Sequence, residues 1–427
     1  MFTTFREANE WLQSRLKFGI KPGLERMHVM MELLNHPERR PKYIHVAGTN
    51  GKGSTIAFLN EILQQAGYVV GTYTSPSLET IHERISVNGV PISDEEFIHL
   101  VNTVKPVAEK VEQTEFGAPT EFEVMTAMMF DYFGRVNIPD VVLLETGLGG
   151  TYDSTNIISP LISIITSIGH DHMGILGESL EEIASQKAGI IKSGVPVMTA
   201  VQASSLLSII EKTAASKKAR VYSLNKHFSI LEQNERLIFR TPFHEYENVK
   251  LGLSGTHQRS NAILAVMAAN YLTFYYSFQI ERKHIKEGLE KTFWKGRFEQ
   301  VSKDPTIVLD GAHNVEGVTA LKETVRQSYP NRTVHVIFSA MKDKETKEMI
   351  DILSSFAHRI MFTSFANPRA KQAKALYDEA DVKLKFYEED WVQSIERMKQ
   401  TLSHGDVLII TGSLYFIGEV RKLFVNN

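Results

Sequence analysis

The segment that most limits what this chain can become is an apolar run, Tyr43-Ile44-His45-Val46-Ala47. It leads into Gly48-Thr49-Asn50-Gly51-Lys52-Gly53-Ser54-Thr55 and then into the helix-like Ile56-Ala57-Phe58-Leu59-Asn60-Glu61-Ile62-Leu63. The order reads as a buried strand, a glycine-rich turn and a helix start. Glycines let backbone N–H groups close around phosphate oxygens, and the helix start adds the positive end of its dipole. Lys52 adds a point charge, and Ser54 or Thr55 can face a magnesium ion. The spacing departs from the usual phosphate-loop pattern, since Val46 stands five before Gly51 and Gly53 follows Lys52. The flanking strand and helix outweigh that departure, and the chain is expected to bind a nucleoside triphosphate.

At 427 residues the chain exceeds the size at which one core keeps growing, so two domains are expected. Residues 3 to 37 read as two helices broken at Lys21-Pro22-Gly23, with Leu24, Met27, Met31 and Leu34 at helical spacing in the second. After the glycine loop come a strand near Val69-Tyr73, a loop from Thr74 to Arg84, and a hairpin-like Ile85-Ser86-Val87-Asn88-Gly89. Helices follow around 94–113 and 121–134, then strands at Val141-Glu145, Leu161-Thr166 and Val195-Thr199. Strands alternating with helices imply a mostly parallel sheet covered on both faces. From residue 305 the alternation turns regular, with strand-like runs at Thr306-Asp310, Thr333-Ser339, Arg359-Phe365, Val382-Phe386 and Val407-Thr411. This reads as a second, smaller doubly wound α/β domain, with the boundary near Trp294-Lys295-Gly296-Arg297. The expected units are therefore 1–295 and 296–427.

A net charge of -3 leaves no electrostatic footprint for nucleic acid or an anionic membrane. The chain has no cysteine, hence no disulfide, thiolate metal site or thiol nucleophile. The polar start Met1-Phe2-Thr3-Thr4-Phe5-Arg6-Glu7 is unlike a signal peptide, and no apolar run reaches about 18 residues. A cytoplasmic protein is expected.

Several polar residues stand where strands release their chain. Glu145 closes Val141-Val142-Leu143-Leu144, and a carboxylate there beside a phosphate loop is placed to hold magnesium, or else to cap the next turn. Ile168-Gly169-His170-Asp171-His172 follows the strand ending at Thr166 and reads either as metal ligation or as a hydrogen-bonded turn. In Val308-Leu309-Asp310-Gly311-Ala312-His313-Asn314, Asp310 can accept from ribose hydroxyls, and Asn314 can serve there or as a helix cap. Arg297 is a phosphate clamp or a linker charge. A guanine-specific switch is disfavoured, because the nearest base-reading run, Asn225-Lys226-His227-Phe228, has Phe where an aspartate is required.

Taken together, these segments resemble the folylpolyglutamate synthase and dihydrofolate synthase family, relatives of the Mur peptide ligases. The matching runs are Val46 to Ser54, Thr74-Ser75-Pro76-Ser77-Leu78, Glu83-Arg84-Ile85, Phe122-Glu123, Glu145 to Gly150, Asp153-Ser154-Thr155-Asn156, Asp171-His172, Lys187 to Lys192, Gly296 to Glu299 and Asp310 to Asn314. Thr411-Gly412-Ser413 is a further likeness. The Mur ligases themselves carry an extra UDP-binding domain before the phosphate loop, for which the 47 residues preceding Gly48 are too few.

The resemblance implies a Mur-like phosphate-loop domain followed by a smaller Rossmann-like one, and an ATP-dependent amide ligation. A folate carboxylate attacks the γ-phosphate, and the amine of glutamate displaces phosphate from the acyl phosphate. Dihydropteroate is a second candidate acceptor. By the same likeness Thr49, Asn50, Gly51, Lys52, Gly53 and Ser54 hold the triphosphate, while Asn261, Arg297 and Asp310 hold the rest of ATP. Ser75 and Glu145 are implied as ligands of a first magnesium ion, and His172 of a second.

Lys187 matches a lysine that the family carbamylates, against the plainer reading of a surface lysine on a helix from Leu180 to Lys192. Thr120, Glu121, Phe122, Glu123, Tyr152, Asp153 and Ser154 fall at the pteroate pocket, although Phe122 shares a helical stripe with Met125 and Met129 and can equally be core. Arg84 is implied to meet a substrate carboxylate, and His313 and Ser413 the glutamate end. Expected partners are small molecules only, and the expected state is a monomer. The competing readings are a Mur-like ligase of another amino acid and a nucleotide-binding module without turnover.

Overall fold

The computed structural model describes residues 1–234 and 236–425. Residues 235, 426 and 427, inside the two expected units, lie outside the described residues. The first sheet contains β1 (Tyr43–Ala47), β2 (Val70–Tyr73), β3 (Ile85–Val87), β4 (Val90–Pro91), β5 (Val141–Glu145), β6 (Ile162–Ile165), β7 (Val197–Thr199) and β8 (Val221–Ser223). Their spatial order is β4-β3-β2-β5-β1-β6-β7-β8, parallel throughout except for the hairpin strands β3 and β4 at one edge. That hairpin turns at Asn88 and Gly89, both at positive φ, as a two-residue hairpin loop requires.

Side chains alternate across β5, so one strand serves two cores. Val141 and Leu143 pack with the phosphate-loop helix Lys52–Gln65 and the long helix Thr256–Tyr276, while Val142 and Leu144 pack with the helices Phe5–Gln13, Glu25–Leu33, Asp94–Glu112 and Glu121–Asp131. The stripe expected in the second N-terminal helix is core: Met27, Met31 and Leu34 are buried. The helix at Leu180 is shorter than expected and stops at Ala188.

Between the sheets lies an antiparallel trio, β9 (Ser229–Gln233), β10 (Arg236–Arg240) and β11 (Glu245–Tyr246). The second sheet contains β12 (Glu299–Lys303), β13 (Thr306–Asp310), β14 (Val334–Phe338), β15 (Arg359–Ser364), β16 (Lys385–Asp390) and β17 (Val407–Thr411), in the order β12-β13-β17-β14-β15-β16. All but β12 run parallel. Val318, Leu321, Met349, Ile350, Leu353 and Leu376 cover one face, and Ile395, Met398, Phe416, Ile417 and Val420 cover the other, which is the doubly wound arrangement. The expected strand at Val382-Phe386 lies instead at Lys385–Asp390. Among the described residues no helix is long and apolar enough to cross a membrane.

Candidate active site

Open parallel sheets place ligands at the carboxyl ends of their strands. β1 ends at Ala47, and the chain turns through Gly48 (φ 155°) and Gly51 (φ 89°) into the helix Lys52–Gln65. A side chain at Gly51 would run into the amide of Asn261, which lies buried beneath the loop on the helix Thr256–Tyr276. The first half of the loop is tied down: Thr49 N donates to Ser167 O (2.9 Å), Asn50 N to Ser167 Oγ (2.9 Å), and Thr166 Oγ1 to Asn50 O (2.6 Å). The second half is open. Gly51 offers no side-chain cap to the N–H groups of the first helical turn, which have no intrahelical acceptor, and Gly53 in that turn lines a cavity with Ser75, Glu145 and Arg297.

Lys52 folds back over this loop, donating to Gly48 O (3.0 Å) and Thr49 O (3.4 Å) with its Nζ 3.7 Å from Glu145 Oε1. Glu145 is buried at the end of β5 and accepts from Ser75 N at 3.2 Å. Burial raises its carboxyl pKa, while Lys52 works the other way. Among the described residues no three His, Asp or Glu side chains converge into a complete metal cage. Glu145 and Ser75 still offer one carboxylate and one hydroxyl, a donor set that suits magnesium when phosphate oxygens and water supply the remainder. Thr55 Oγ1, in the same first turn, is buried without a partner.

The second sheet brings its own strand ends to this place. Asp310 closes β13 and accepts from Phe298 N (2.9 Å) and Ala312 N (2.9 Å), so it shapes the two turns that carry Arg297 and His313. Burial raises its pKa, with Arg297 opposing. The buried Nε of Arg297 has no partner. Asn314 caps the helix Val315–Ser328 through Gly317 N (2.8 Å), and its amide also exchanges hydrogen bonds with Asn50 (3.1 and 3.2 Å). Asn314 is therefore both a cap and a bridge to the phosphate loop. Across the same seam Lys344 Nζ lies 2.6 Å from Asp171 Oδ1, and His170 N donates to Glu316 (3.0 Å). Burial works to raise the pKa of Asp171, but Lys344 holds it down at about 2. His313 is held at about 4 by burial and by Lys344, so its ring is neutral near pH 7.

Along this seam lies a cavity of about 460 Å³, within the range of small-molecule sites. Ser75, Arg84, Thr120, Phe122, Glu123, Tyr152, Asp153, Ser154 and His172 line it from the first sheet, and His313 and Ser413 from the second. Phe122 presents its ring edge to Gly147, where any side chain would collide, and so it borders the cavity as well as the core. Other expected residues make internal bonds here. Glu123 accepts from Thr120 N (2.7 Å) and Arg26 Nε (2.8 Å), Glu121 pairs with Arg84 (2.9 Å), and Asp153 accepts from Leu148 N (2.8 Å) and from Thr155. Lys187 is buried near Lys52, Asp171 and Asp153, and burial followed by Lys52 lowers its pKa to about 7.

Lys344 and Arg369, which also line the cavity, were not foreseen. They sit in the loops beyond the ends of β14 and β15, which the strand-end rule marks as ligand-facing without singling out a residue.

Residues 46–269 match the family described as the Mur ligase middle domain, and residues 296–414 the Mur ligase glutamate ligase domain. The chain is 48% identical to the dihydrofolate synthase/folylpolyglutamate synthase of Bacillus subtilis over 99% of both chains. Among solved structures it resembles Mycobacterium tuberculosis folylpolyglutamate synthase complexed with ADP (27% identity, TM-score 0.92, covering 99% of this chain and 98% of that one). It also resembles E. coli FolC in complex with DHPP and ADP (26% identity, TM-score 0.90, covering 99% and 97%).

Proposed function

Because the chain belongs to the family of folylpolyglutamate and dihydrofolate synthases, ATP-dependent ligases that join glutamate to a folate carboxylate, we propose that the cleft between its two sheets carries out that ligation as follows. The triphosphate of ATP lies on the free N–H groups of Gly51, Lys52, Gly53 and Ser54, beside Thr49 and Asn50. Lys52 leaves its backbone carbonyls to neutralise phosphate charge. Asn261, Arg297 and Asp310 hold the nucleoside side, and the orphaned Nε of Arg297 supports that role. Magnesium, held by Ser75 and Glu145 with a second ion at His172, would neutralise charge on the phosphates.

The pteridine ring lies in the cavity against Phe122, between Thr120, Glu123, Tyr152, Asp153 and Ser154; Glu121, expected there, does not line the cavity and instead holds Arg84, which faces the benzoyl-glutamate portion. A carboxylate oxygen of the acceptor attacks the γ-phosphorus, the bond to the β-phosphate oxygen breaks, and ADP leaves. The amine of incoming glutamate then attacks the acyl carbon, phosphate leaves, and the amine nitrogen loses its extra proton. Lys344, Arg369, His313 and Ser413 surround the incoming amino acid, whose two carboxylates match the two cations.

Lys187 is the remaining part of the phosphate site. With a pKa of about 7 much of its amine is neutral at physiological pH, and only the neutral amine adds carbon dioxide. The resulting carbamate releases a proton and turns a cation into an anion beside the magnesium sites. In this reading residues 1–295 supply ATP and folate contacts and residues 296–427 complete the ATP and glutamate sites. The protein acts as a cytoplasmic monomer, with no nucleic-acid or membrane partner.

The observation that carries the reading is a cavity walled from both sheets that shares Ser75, Pro76 and Leu414 with a second cavity, which reaches Gly53 of the phosphate loop, Glu145 and Arg297. The test is to incubate purified protein with ATP, magnesium and labelled glutamate, adding tetrahydrofolate or dihydropteroate separately. Glutamate-dependent ADP release with a one-glutamate mass gain on tetrahydrofolate is expected. A gain on dihydropteroate is expected too, in keeping with the dual name of the Bacillus subtilis relative. ADP release indifferent to glutamate and to both acceptors would refute the assignment.

A further inference from the structure

Arg421 lies on the helix Leu414–Val425, is buried, and lines neither the large cavity nor the smaller one beside Trp294. Its guanidinium nevertheless joins three segments. Nε donates to both oxygens of Glu299 (3.0 Å each), Nη2 lies 2.9 Å from Glu299 Oε1, and Nη1 donates to Glu79 Oε1 at 2.7 Å. Glu299 in turn accepts from Gly296 N at 2.8 Å, next to Arg297. Glu79 belongs to the loop that begins with Ser75. That loop is closed on itself by Glu83, which accepts from Leu78 N (2.8 Å) and Glu79 N (3.1 Å). Lys295 pairs with both Glu79 (2.9 Å) and Glu83 (3.2 Å).

Shape reinforces charge at this contact. Leu78 packs into the hydrophobic cluster beneath the helix Leu414–Val425, and its carbonyl oxygen sits where any side chain at Gly418 would be. The loop is thus seated on the second sheet's last helix by a backbone approach and an ion pair that is largely shielded from water. Its other end places Ser75 N on Glu145.

We propose that Arg421 is a positioning residue for the nucleotide site: through Glu79 it sets the Ser75 loop against Glu145, and through Glu299 it sets the turn that carries Arg297. The inference rests on the ATP site described above and adds to it a residue that touches no substrate. Bidentate contact to Glu299 with a third bond to Glu79 is a geometry that only a guanidinium supplies.

The probe is Glu79→Gln, which removes the charge that Arg421 and Lys295 both pair with and leaves the Arg421–Glu299 pair intact. It is expected to weaken binding of AMPPCP with magnesium, measured by calorimetry, about tenfold, with a matching rise in the KM for ATP and a melting temperature within about 2 °C of wild type. Gly418→Ala, which pushes Leu78 away without touching a charge, is expected to weaken the same binding and, because its Cβ meets backbone, to lower the melting temperature as well, so the comparison at unchanged stability is made on Glu79→Gln. The double variant Glu79→Gln with Arg421→Gln should be no worse than Arg421→Gln alone. Wild-type affinity in both Glu79→Gln and Gly418→Ala would overturn the proposal. So would losses that multiply in the double variant, or a loss in Glu79→Gln that merely tracks a fall in melting temperature. Analogue binding is read without turnover, so this outcome is separable from failure of the ligase assignment, which wild-type activity alone decides.

Discussion

Burial takes Lys187 out of water and Lys52 adds like charge, and both favour the neutral amine. If that amine is carbamylated, Lys187→Ala should lower turnover about 10²-fold, in line with the loss of a group that orients a metal site. Wild-type activity should rise with added bicarbonate and that of the variant should not; equal response of both would dismiss the modification. Buried histidine gives a second prediction at this scale. His45, fully buried on β1 with Nε2 2.8 Å from Thr155 Oγ1, has its pKa lowered to about 3, burial being the main cause. The unfolded chain, with an ordinary value near 6.5, therefore binds a proton that the folded state refuses between about pH 6.5 and 3. Stability from the neutral ring is fully present above that window and is lost as pH falls through it. The stability difference between wild type and His45→Gln should shrink by about 1.4 kcal/mol per pH unit below 6.5, checked by urea unfolding at pH 7 and 5. A difference that stays constant would mean that the ring is not held neutral.

Among the elements, the helix bearing the phosphate loop depends on one close approach. A side chain at Gly288, on the helix Arg282–Lys291, would come within 2.6 Å of Ile62 Cα, and backbone cannot swing aside as a side chain can. Gly288→Ala should destabilise the protein by about 1–3 kcal/mol in denaturant unfolding. An unchanged midpoint would mean that the two helices separate freely. The elements readable from sequence were those with a strong local signature. The strand, glycine turn and helix around Gly51 were legible because β1 and β5 are buried on both faces and are apolar apart from His45 within β1 and Glu145 at the end of β5. Edge strands carry no such mark. β16 alternates mostly exposed residues, and β12 reads Glu-Gln-Val-Ser-Lys, so one was misplaced by three residues at its start and the other was unseen. The longest apolar run in the trio β9–β11 is only Leu237-Ile238-Phe239, between charged residues, and the trio was not read as strand. In the site, Glu145, Asp310 and His313 were legible as polar residues at the ends of apolar strands. Lys344 and Arg369 were not, because they stand several residues beyond their strands in polar loops and become neighbours only through the parallel order of β14 and β15.

Among the contacts that stitch the two sheets together, three are anchored on loops of the proposed site: Asn50 to Asn314, Asp171 to Lys344, and Glu79 to Arg421. Nucleotide bound between them should hold the folded state by mass action. AMPPCP with magnesium at 100 times its dissociation constant should add about 2.7 kcal/mol to stability, and chelating the magnesium should remove part of that gain. Thermal unfolding with no response to the analogue would mean that the folded chain does not bind it. Because the large cavity has Phe122 and Arg84 on one side and Lys344 and Arg369 on the other, its affinity for a compound depends on how far that compound reaches. A fragment that rests on Phe122 alone is indifferent to how the halves are set, whereas a molecule carrying an acidic group to Lys344 also acts as glue. Inhibitor chemistry here should accordingly reward length across the seam over bulk within one wall.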